Sequence, residues 1–113
     1  MWGIMDSKKF NEILEKRIDK IKNVLSSKEK EYASGFDRLH NFKVAARIMN
    51  ETPEKALFGM LLKHIVSVID MVNDPKSISE YLINEKIGDV INYFILLESL
   101  MLERIEQSHL NRC

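Results

Sequence analysis

The chain carries its most informative stretch at residues 85–93, which read Glu85-Lys86-Ile87-Gly88-Asp89-Val90-Ile91-Asn92-Tyr93. On an α-helix, with about 100° between successive residues, Asp89 lies about 40° from Glu85, and Asn92 lies about 20° from Glu85 on the other side. The opposite face is apolar and holds Ile87, Val90, Ile91, Phe94 and Met101. This pattern predicts a helix that packs into a core with one face and holds a cation or a polar ligand with the other.

Helical patterns also fill the rest of the chain. Apolar residues recur at steps of three and four, the spacing of a buried stripe, and predict helices over residues 7–32, 36–49, 53–72 and 77–107. No segment longer than a few residues alternates as a β-strand does. The sequence therefore predicts an all-α, four-helix bundle-like fold with short connections.

Several residues are suited to begin or interrupt these helices. Asp6 or Ser7 can cap the first helix, and Thr52 followed by Pro53 is a favourable start for the third. Ser77-x-x-Glu80 resembles a capping box at the start of the last helix. A break in that helix near Asn84 is left open, and Ser34-Gly35 is expected to separate the first two helices.

The composition fits one small domain. The chain has 113 residues with 17 basic and 17 acidic side chains, so it is predicted to form a single domain over residues 1–113, with flexible ends at 1–5 and 108–113. The balanced charge gives no strong signal for nucleic acid. A lone cysteine, Cys113, provides no disulfide framework. Because no run reaches the roughly 18 apolar residues of a membrane span, the sequence favours a cytoplasmic protein.

The second half of the last predicted helix is apolar nearly all round. Leu96 and Leu100 continue the face of Asp89, whereas Leu97 and Met101 continue the opposite face. A helix of this kind sits at the centre of a fold or is covered by another subunit. We therefore expect a homo-oligomer, a dimer or a larger assembly.

Residues 85–90 resemble the second acidic motif of the MazG-like, all-α nucleoside triphosphate pyrophosphohydrolase superfamily, in which Glu-Glu-x-x-Asp is followed by an apolar run. The first acidic motif of that superfamily, Glu-Glu-x-x-Glu, would fall on the preceding helix, where this chain has Lys63, His64 and Ser67. The resemblance covers residues 29–101. It implies a MazG-like nucleotide-binding protein and, if the altered first motif allows it, Mg²⁺-dependent hydrolysis of a nucleoside triphosphate to the monophosphate and pyrophosphate.

Two further features are similar to a phage-associated branch of that superfamily, the nucleotide-modification-associated domains. One is Lys-Glu-Tyr-Ala-Ser-Gly-Phe at residues 30–36, followed by Arg38 and Asn41-Phe42. The other is Lys63 followed, after a loop, by the acidic helix that contains Asn92-Tyr93. By this resemblance the protein would be encoded by a phage or prophage and would act in the host cytoplasm.

The candidate site residues follow from the acidic pair and from the resemblance. Glu85 and Asp89, with Asp70 across a groove, are the candidate ligands of Mg²⁺, because hard cations prefer carboxylate oxygens. Lys63 and Asp89 are the candidate catalytic residues, Lys63 on a phosphate and Asp89 on the metal that prepares a water. The resemblance implies a nucleotide-contacting set of Tyr32, Phe36, Arg38, Asn41, Lys63, Asn92 and Tyr93.

Each of these residues also has a structural interpretation. Glu85 and Asp89 can form a solvated acidic face, and Asn92 with Tyr93 can form buried hydrogen bonds between helices. His64 lies within the apolar arc of its helix and is interpreted as a core residue. Because the first acidic motif is altered, two rivals stay open: a non-catalytic protein that binds a nucleotide or a protein partner, and a purely structural bundle.

Overall fold

The computed structural model describes residues 3–31 and 37–111. The chain separates into two compact units, Met1–Ser34 and Gly35–Cys113, and each is described by itself. Within the described ranges all regular structure is helical and no strand occurs, which confirms the all-α prediction. Tyr32 and Phe36 of the predicted nucleotide contacts, and the predicted break at Ser34-Gly35, lie outside the described residues.

The first unit contains one helix, α1, over Ser7–Glu31, which agrees with the predicted 7–32. Asp6 caps it, since its Oδ1 accepts a hydrogen bond from the backbone N–H of Lys9 at 2.8 Å. This bond satisfies one of the amide groups that the first turn of a helix leaves unpaired. The apolar stripe of α1 is largely exposed and includes Phe10, Ile13, Leu14 and Ile18.

The second unit contains two further helices and a long C-terminal helix. Helix α2 covers His40–Met49 and α3 covers Pro53–Asn73. After a 3₁₀ turn, the C-terminal helix is built from three consecutive segments: α4 (Glu80–Leu82), a π-helical segment (Ile83–Ile87) and α5 (Gly88–Asn111).

The α2–α3 junction has the predicted chemistry. Asn50 ends α2 in the left-handed conformation, with φ of 55°, which asparagine tolerates better than most residues. The Thr52 hydroxyl then accepts a hydrogen bond from the N–H of Lys55 at 3.2 Å. Pro53 occupies the first helical position, where its missing N–H costs nothing. These contacts confirm Thr52 and Pro53 as the start of α3.

The C-terminal helix begins and ends later than predicted. Ser79 is its cap, accepting from the N–H of Leu82 at 3.1 Å, whereas Ser77 lies in the 3₁₀ turn and donates to the carbonyl of Asp74. The prediction of a capping box at Ser77 was therefore wrong, because residues Pro75–Ser77 form a 3₁₀ turn that precedes the helix. At the other end the helix continues to Asn111, beyond the predicted residue 107.

The core of the second unit lies where α2, α3 and α5 meet. Leu57 and Leu61 on α3 are completely buried, and burying a leucine side chain contributes about 1.5–3 kcal/mol. Leu97 and Leu100 on α5 are also buried within this chain. The apolar second half of the last helix is thus covered in part by its own core, which fits the first of the two arrangements predicted for such a helix, and the oligomer stays a prediction.

One described helix, α3 (Pro53–Asn73), is long and apolar enough to cross a membrane by length and composition alone. The core helix of a soluble protein passes the same test. Helix α3 carries the two completely buried leucines of this unit, and Lys63, His64 and Asp70 lie along it. The finding is therefore weak evidence for a membrane span.

Candidate polar site between α3 and the C-terminal helix

The π-helical segment at Ile83–Ile87 changes the geometry of the acidic motif. In a π-helix the backbone bonds join residues five apart, so the turn holds an extra residue compared with an α-helix. Glu85 lies inside this segment and is exposed, whereas Asp89 lies after it and is partly buried. The common face predicted for Glu85 and Asp89 assumed a regular α-helix, whereas the structure places Glu85 within a π-helical turn and Asp89 against His64.

Asp89 faces α3 through His64. The imidazole Nδ1 of His64 lies 3.4 Å from Oδ2 of Asp89, and both side chains are partly exposed. On α5, the Tyr93 ring stacks on His64 with 4.8 Å between ring centroids and a tilt of 32°. Tyr93 also contacts Phe42 of α2 edge to face, at 6.3 Å. His64 and Tyr93 therefore connect the carboxylate of Asp89 to the apolar core.

Asn92, on the same stretch of α5, carries an unsatisfied acceptor. Its Oδ1 is buried and has no hydrogen-bond partner among the described residues. Buried polar side-chain atoms nearly always have a partner, and each exception calls for an explanation. Asn92 follows Asp89 by three residues on α5 and precedes Tyr93, so we define the polar cluster as His64, Asp89, Asn92 and Tyr93.

The other predicted site residues lie on the surface. Lys63 and Asp70 on α3 are exposed, as are Arg38 before α2 and Asn41 within it. Lys63 neighbours His64 along α3, so its side chain leaves the helix about 100° away. The basic side chain that lies close to Asp89 in the described residues is that of His64 and not that of Lys63. The candidate roles of the exposed residues stay predictions.

The described residues form no ready-made metal cage around the predicted magnesium ligands. Mg²⁺ prefers near-octahedral oxygen ligands and is usually bound by one or two carboxylates together with substrate phosphates. In the ranges 3–31 and 37–111, no three His, Cys, Asp or Glu side chains are close enough together to hold a metal ion. The roles of Glu85, Asp89 and Asp70 as ligands of Mg²⁺ therefore stay predictions.

A second group of charges lies at the other end of α3 and differs from the polar cluster because its members are paired. The guanidinium of Arg104 on α5 binds both carboxylate oxygens of Glu54, with Nη2 at 3.0 Å from Oε1. Lys43 on α2 contacts Glu103 at 2.8 Å and Asp37 at 2.5 Å. We call these residues the paired end: Asp37, Lys43, Glu54, Glu103 and Arg104.

Titration properties follow from these pairs. The hydrogen bond from Arg104 holds the pKa of Glu54 below its ordinary value, and the one from Lys43 does the same for the pKa of Asp37. Their partners respond in the opposite direction, since hydrogen bonds to the carboxylates raise the pKa of Lys43 and of Arg104. At neutral pH the paired end is therefore a set of mutually stabilised charges.

A cavity of about 470 Å³ opens beside the paired end. Leu100 provides apolar surface in its wall, while Glu54 and Arg104 provide a charged pair. Because Arg104 is already bound to Glu54 and Lys43 to Glu103, the charges around this cavity are neutralised. The polar cluster, with its unsatisfied amide oxygen, is the better candidate site.

Sequence reasoning missed His64 as a member of the site. The imidazole falls in the apolar arc of α3, which favoured a core histidine, and that interpretation is partly correct because Tyr93 packs on the ring. The contact between His64 and Asp89 could have been predicted from the acidic residue on the facing helix, because a half-buried histidine needs a hydrogen-bond partner.

Comparisons of the chain with protein-family models, with curated proteins and with solved structures find no match. The resemblance to the MazG-like superfamily therefore stays a prediction that rests on the residues quoted for it.

Proposed function

We propose that this protein binds a nucleotide or a nucleotide-like small molecule at the polar cluster, without metal-dependent turnover. The observation that carries the proposal is the buried Oδ1 of Asn92, which lacks a hydrogen-bond partner in the described part of the chain. A buried acceptor without a partner costs about 1–3 kcal/mol. A ligand that donates a hydrogen bond to it would recover that cost on binding.

The surrounding groups suit the parts of a nucleotide. An amide oxygen accepts from the amino group or ring N–H of a base, and the Tyr93 ring provides an aromatic surface beside it. His64 keeps Nε2, the ring nitrogen that does not face Asp89, for a further hydrogen bond. Lys63, exposed and next to His64 on α3, supplies a compact positive charge for a phosphate.

Binding is favoured over hydrolysis by the positions of the acidic residues. Phosphoryl chemistry of this class needs cations to offset charge on the phosphates. Glu85 is exposed within the π-helical segment, whereas Asp89 lies against the imidazole of His64. Because a basic side chain already contacts Asp89, this arrangement favours the non-catalytic alternative.

A thermal-shift panel of nucleoside mono-, di- and triphosphates, each with and without Mg²⁺, tests this proposal. A ligand that prefers the folded state raises the melting temperature by mass action. We expect at least one nucleotide to raise it equally with and without Mg²⁺, and we expect no pyrophosphate in the same wells. Pyrophosphate release that requires Mg²⁺ would contradict the non-catalytic assignment.

The matched variants are Asn92→Leu and Asn73→Leu. Asn92→Leu removes the acceptor from the polar cluster, whereas Asn73→Leu changes an exposed asparagine at the end of α3. We expect the first variant to lose the nucleotide-dependent shift and the second to keep it. Equal shifts in both variants would place binding elsewhere.

A further inference from the structure

One side of the second unit, formed by α3 and α5, exposes two apolar stripes. Their side chains are between 43% and 69% exposed. We call this surface the outer face, and we propose that a second copy of this chain covers it. It consists of Phe58, Leu62, Val66, Ile69 and Val72 on α3, and of Phe94, Met101, Leu102 and Ile105 on α5.

The two stripes lie side by side because the helices run antiparallel. Glu54 near the start of α3 binds Arg104 late in α5, and His64 further along α3 meets Asp89 at the start of α5. On each helix the exposed stripe follows the buried stripe by roughly a third of a turn in the same rotational sense. In an antiparallel pair this rotation brings both stripes to the same side.

Helix α2 leaves this side open. It packs where Phe42 contacts Tyr93 and where Lys43 contacts Glu103. Both α5 residues are partly buried and lie toward the covered side of the helix. The outer face is therefore continuous along both helices.

The size of the outer face matches a protein interface. Aromatic side chains present roughly 150–250 Å² each and aliphatic ones somewhat less, so half-exposed residues in this number expose on the order of 700–900 Å² together. The largest apolar patch of a typical monomer measures about 300–600 Å². A standard interface buries roughly 800 Å² on each partner. The outer face is thus too large for an ordinary monomer surface and large enough for a stable dimer.

The charges on these helices favour a protein over a lipid surface. Glu98 lies within the α5 stripe, about 40° from Phe94, and Glu98 is exposed. Lys63, His64 and Asp70 lie in the second half of α3. Ionisable groups are costly in the hydrocarbon of a bilayer, whereas a carboxylate at a protein interface can stay hydrated at the rim.

A second copy is the occupant that matches this surface in shape. It presents the same two antiparallel stripes, so two copies related by a two-fold axis meet with self-complementary surfaces. The α3 and α5 helices of both copies then form a four-helix arrangement around one apolar core. This inference does not depend on the proposed nucleotide site.

Sedimentation velocity at micromolar concentration tests the proposal, with Phe94→Glu and Ile48→Glu as matched variants. The wild-type chain, of 13.2 kDa, should sediment as a dimer of about twice this mass. Phe94→Glu places a second carboxylate in the outer face and should give a monomer. Ile48→Glu changes an α2 residue that is 81% exposed and should remain dimeric.

A third variant keeps the test informative if Phe94→Glu does not fold, as judged by circular dichroism. Glu98→Leu removes the carboxylate from the outer face and should tighten the dimer by about tenfold in dissociation constant. A monomeric wild-type chain would overturn the proposal. If that monomer co-floated with vesicles of phosphatidylcholine and phosphatidylserine, the outer face would be a lipid-binding surface instead.

Discussion

The paired end and the polar cluster both involve α3 and α5 but treat their polar groups differently. At the paired end, Glu54 meets Arg104 and Lys43 meets two carboxylates. In the polar cluster, the imidazole of His64 contacts Asp89 at 3.4 Å and the Asn92 Oδ1 has no partner among the described residues. The first region is arranged to hold three helices together, whereas the second keeps hydrogen-bonding capacity for a ligand.

By this difference, the paired end contributes to stability and the polar cluster to ligand binding. Removing one charge from a partly exposed pair destabilises the fold modestly, because its partner loses the interaction. Removing an unsatisfied buried group stabilises the fold, because the cost of burying that group without a hydrogen bond disappears. Variants in the two regions should therefore change stability in opposite directions, and only variants in the polar cluster should change ligand binding.

The largest effect is expected in the core beside the paired end. Leu57 is completely buried, so Leu57→Ala leaves a cavity and should lower the free energy of unfolding by about 2–5 kcal/mol. Chemical denaturation measures this loss. Ile48→Ala, at an exposed position, is the control and should change stability by less than about 0.5 kcal/mol. A small effect of Leu57→Ala would show that this part of the core is loosely packed.

A substitution in the polar cluster is expected to raise the free energy of unfolding, not to lower it. Asn92→Leu replaces the unsatisfied amide by an apolar side chain of similar size and should raise the free energy of unfolding by about 1–2 kcal/mol. Denaturant midpoints of the two proteins measure the change. A loss of stability in this variant would show that the amide is paired in solution, and the comparison between the two regions would fail.

The cap of α3 provides a smaller and more local effect. Thr52→Ala removes the acceptor for the N–H of Lys55 and should cost about 1 kcal/mol. Thr52→Ser keeps the hydroxyl and should retain most of the stability. Hydrogen exchange at the first turn of α3 measures local opening, and unchanged protection in Thr52→Ala would exclude a stabilising role for this cap.

The smallest effect is the pH dependence of the paired end. Because the pKa of Glu54 is lowered by its bond to Arg104, this pair contributes stability above the ordinary carboxyl value and loses it as the pH falls through the lowered pKa. Melting temperatures measured from pH 7 down to about pH 3 should therefore fall less steeply for Glu54→Gln than for wild type. Equal slopes would mean that Glu54 does not contribute to acid sensitivity.

The sequence was sufficient to predict the helices but not the π-helical segment that precedes Asp89. Apolar periodicity located α1 and α3 closely, and Thr52-Pro53 marked the start of α3, because caps and stripes are local properties of the chain. The π-helical segment at Ile83–Ile87 is a departure from regular spacing that periodicity does not encode, although the possible break near Asn84 falls inside it. Periodicity therefore did not predict the backbone conformation around Glu85.

The contacts between helices were the least predictable part. His64 and Asp89 are far apart in the sequence, and only the packing of α3 against α5 brings them to 3.4 Å. Lys63, which the resemblance favoured, is one residue away but leaves the helix in another direction. A change of one position along a helix is therefore enough to exchange a site residue for a surface residue.

The most direct test of the central claim follows the side-chain amide of Asn92 in two-dimensional ¹H–¹⁵N spectra, assigned with Asn92→Leu, and the rings of His64 and Tyr93 in ¹H–¹³C spectra. Adenosine, guanosine, cytidine, uridine and thymidine phosphates are titrated separately without Mg²⁺. The account predicts that at least one nucleotide shifts the Asn92 amide and the ring resonances of His64 and Tyr93 together, with a saturable dependence on concentration. Resonances of all three residues that stay fixed with every nucleotide at millimolar concentration would contradict it.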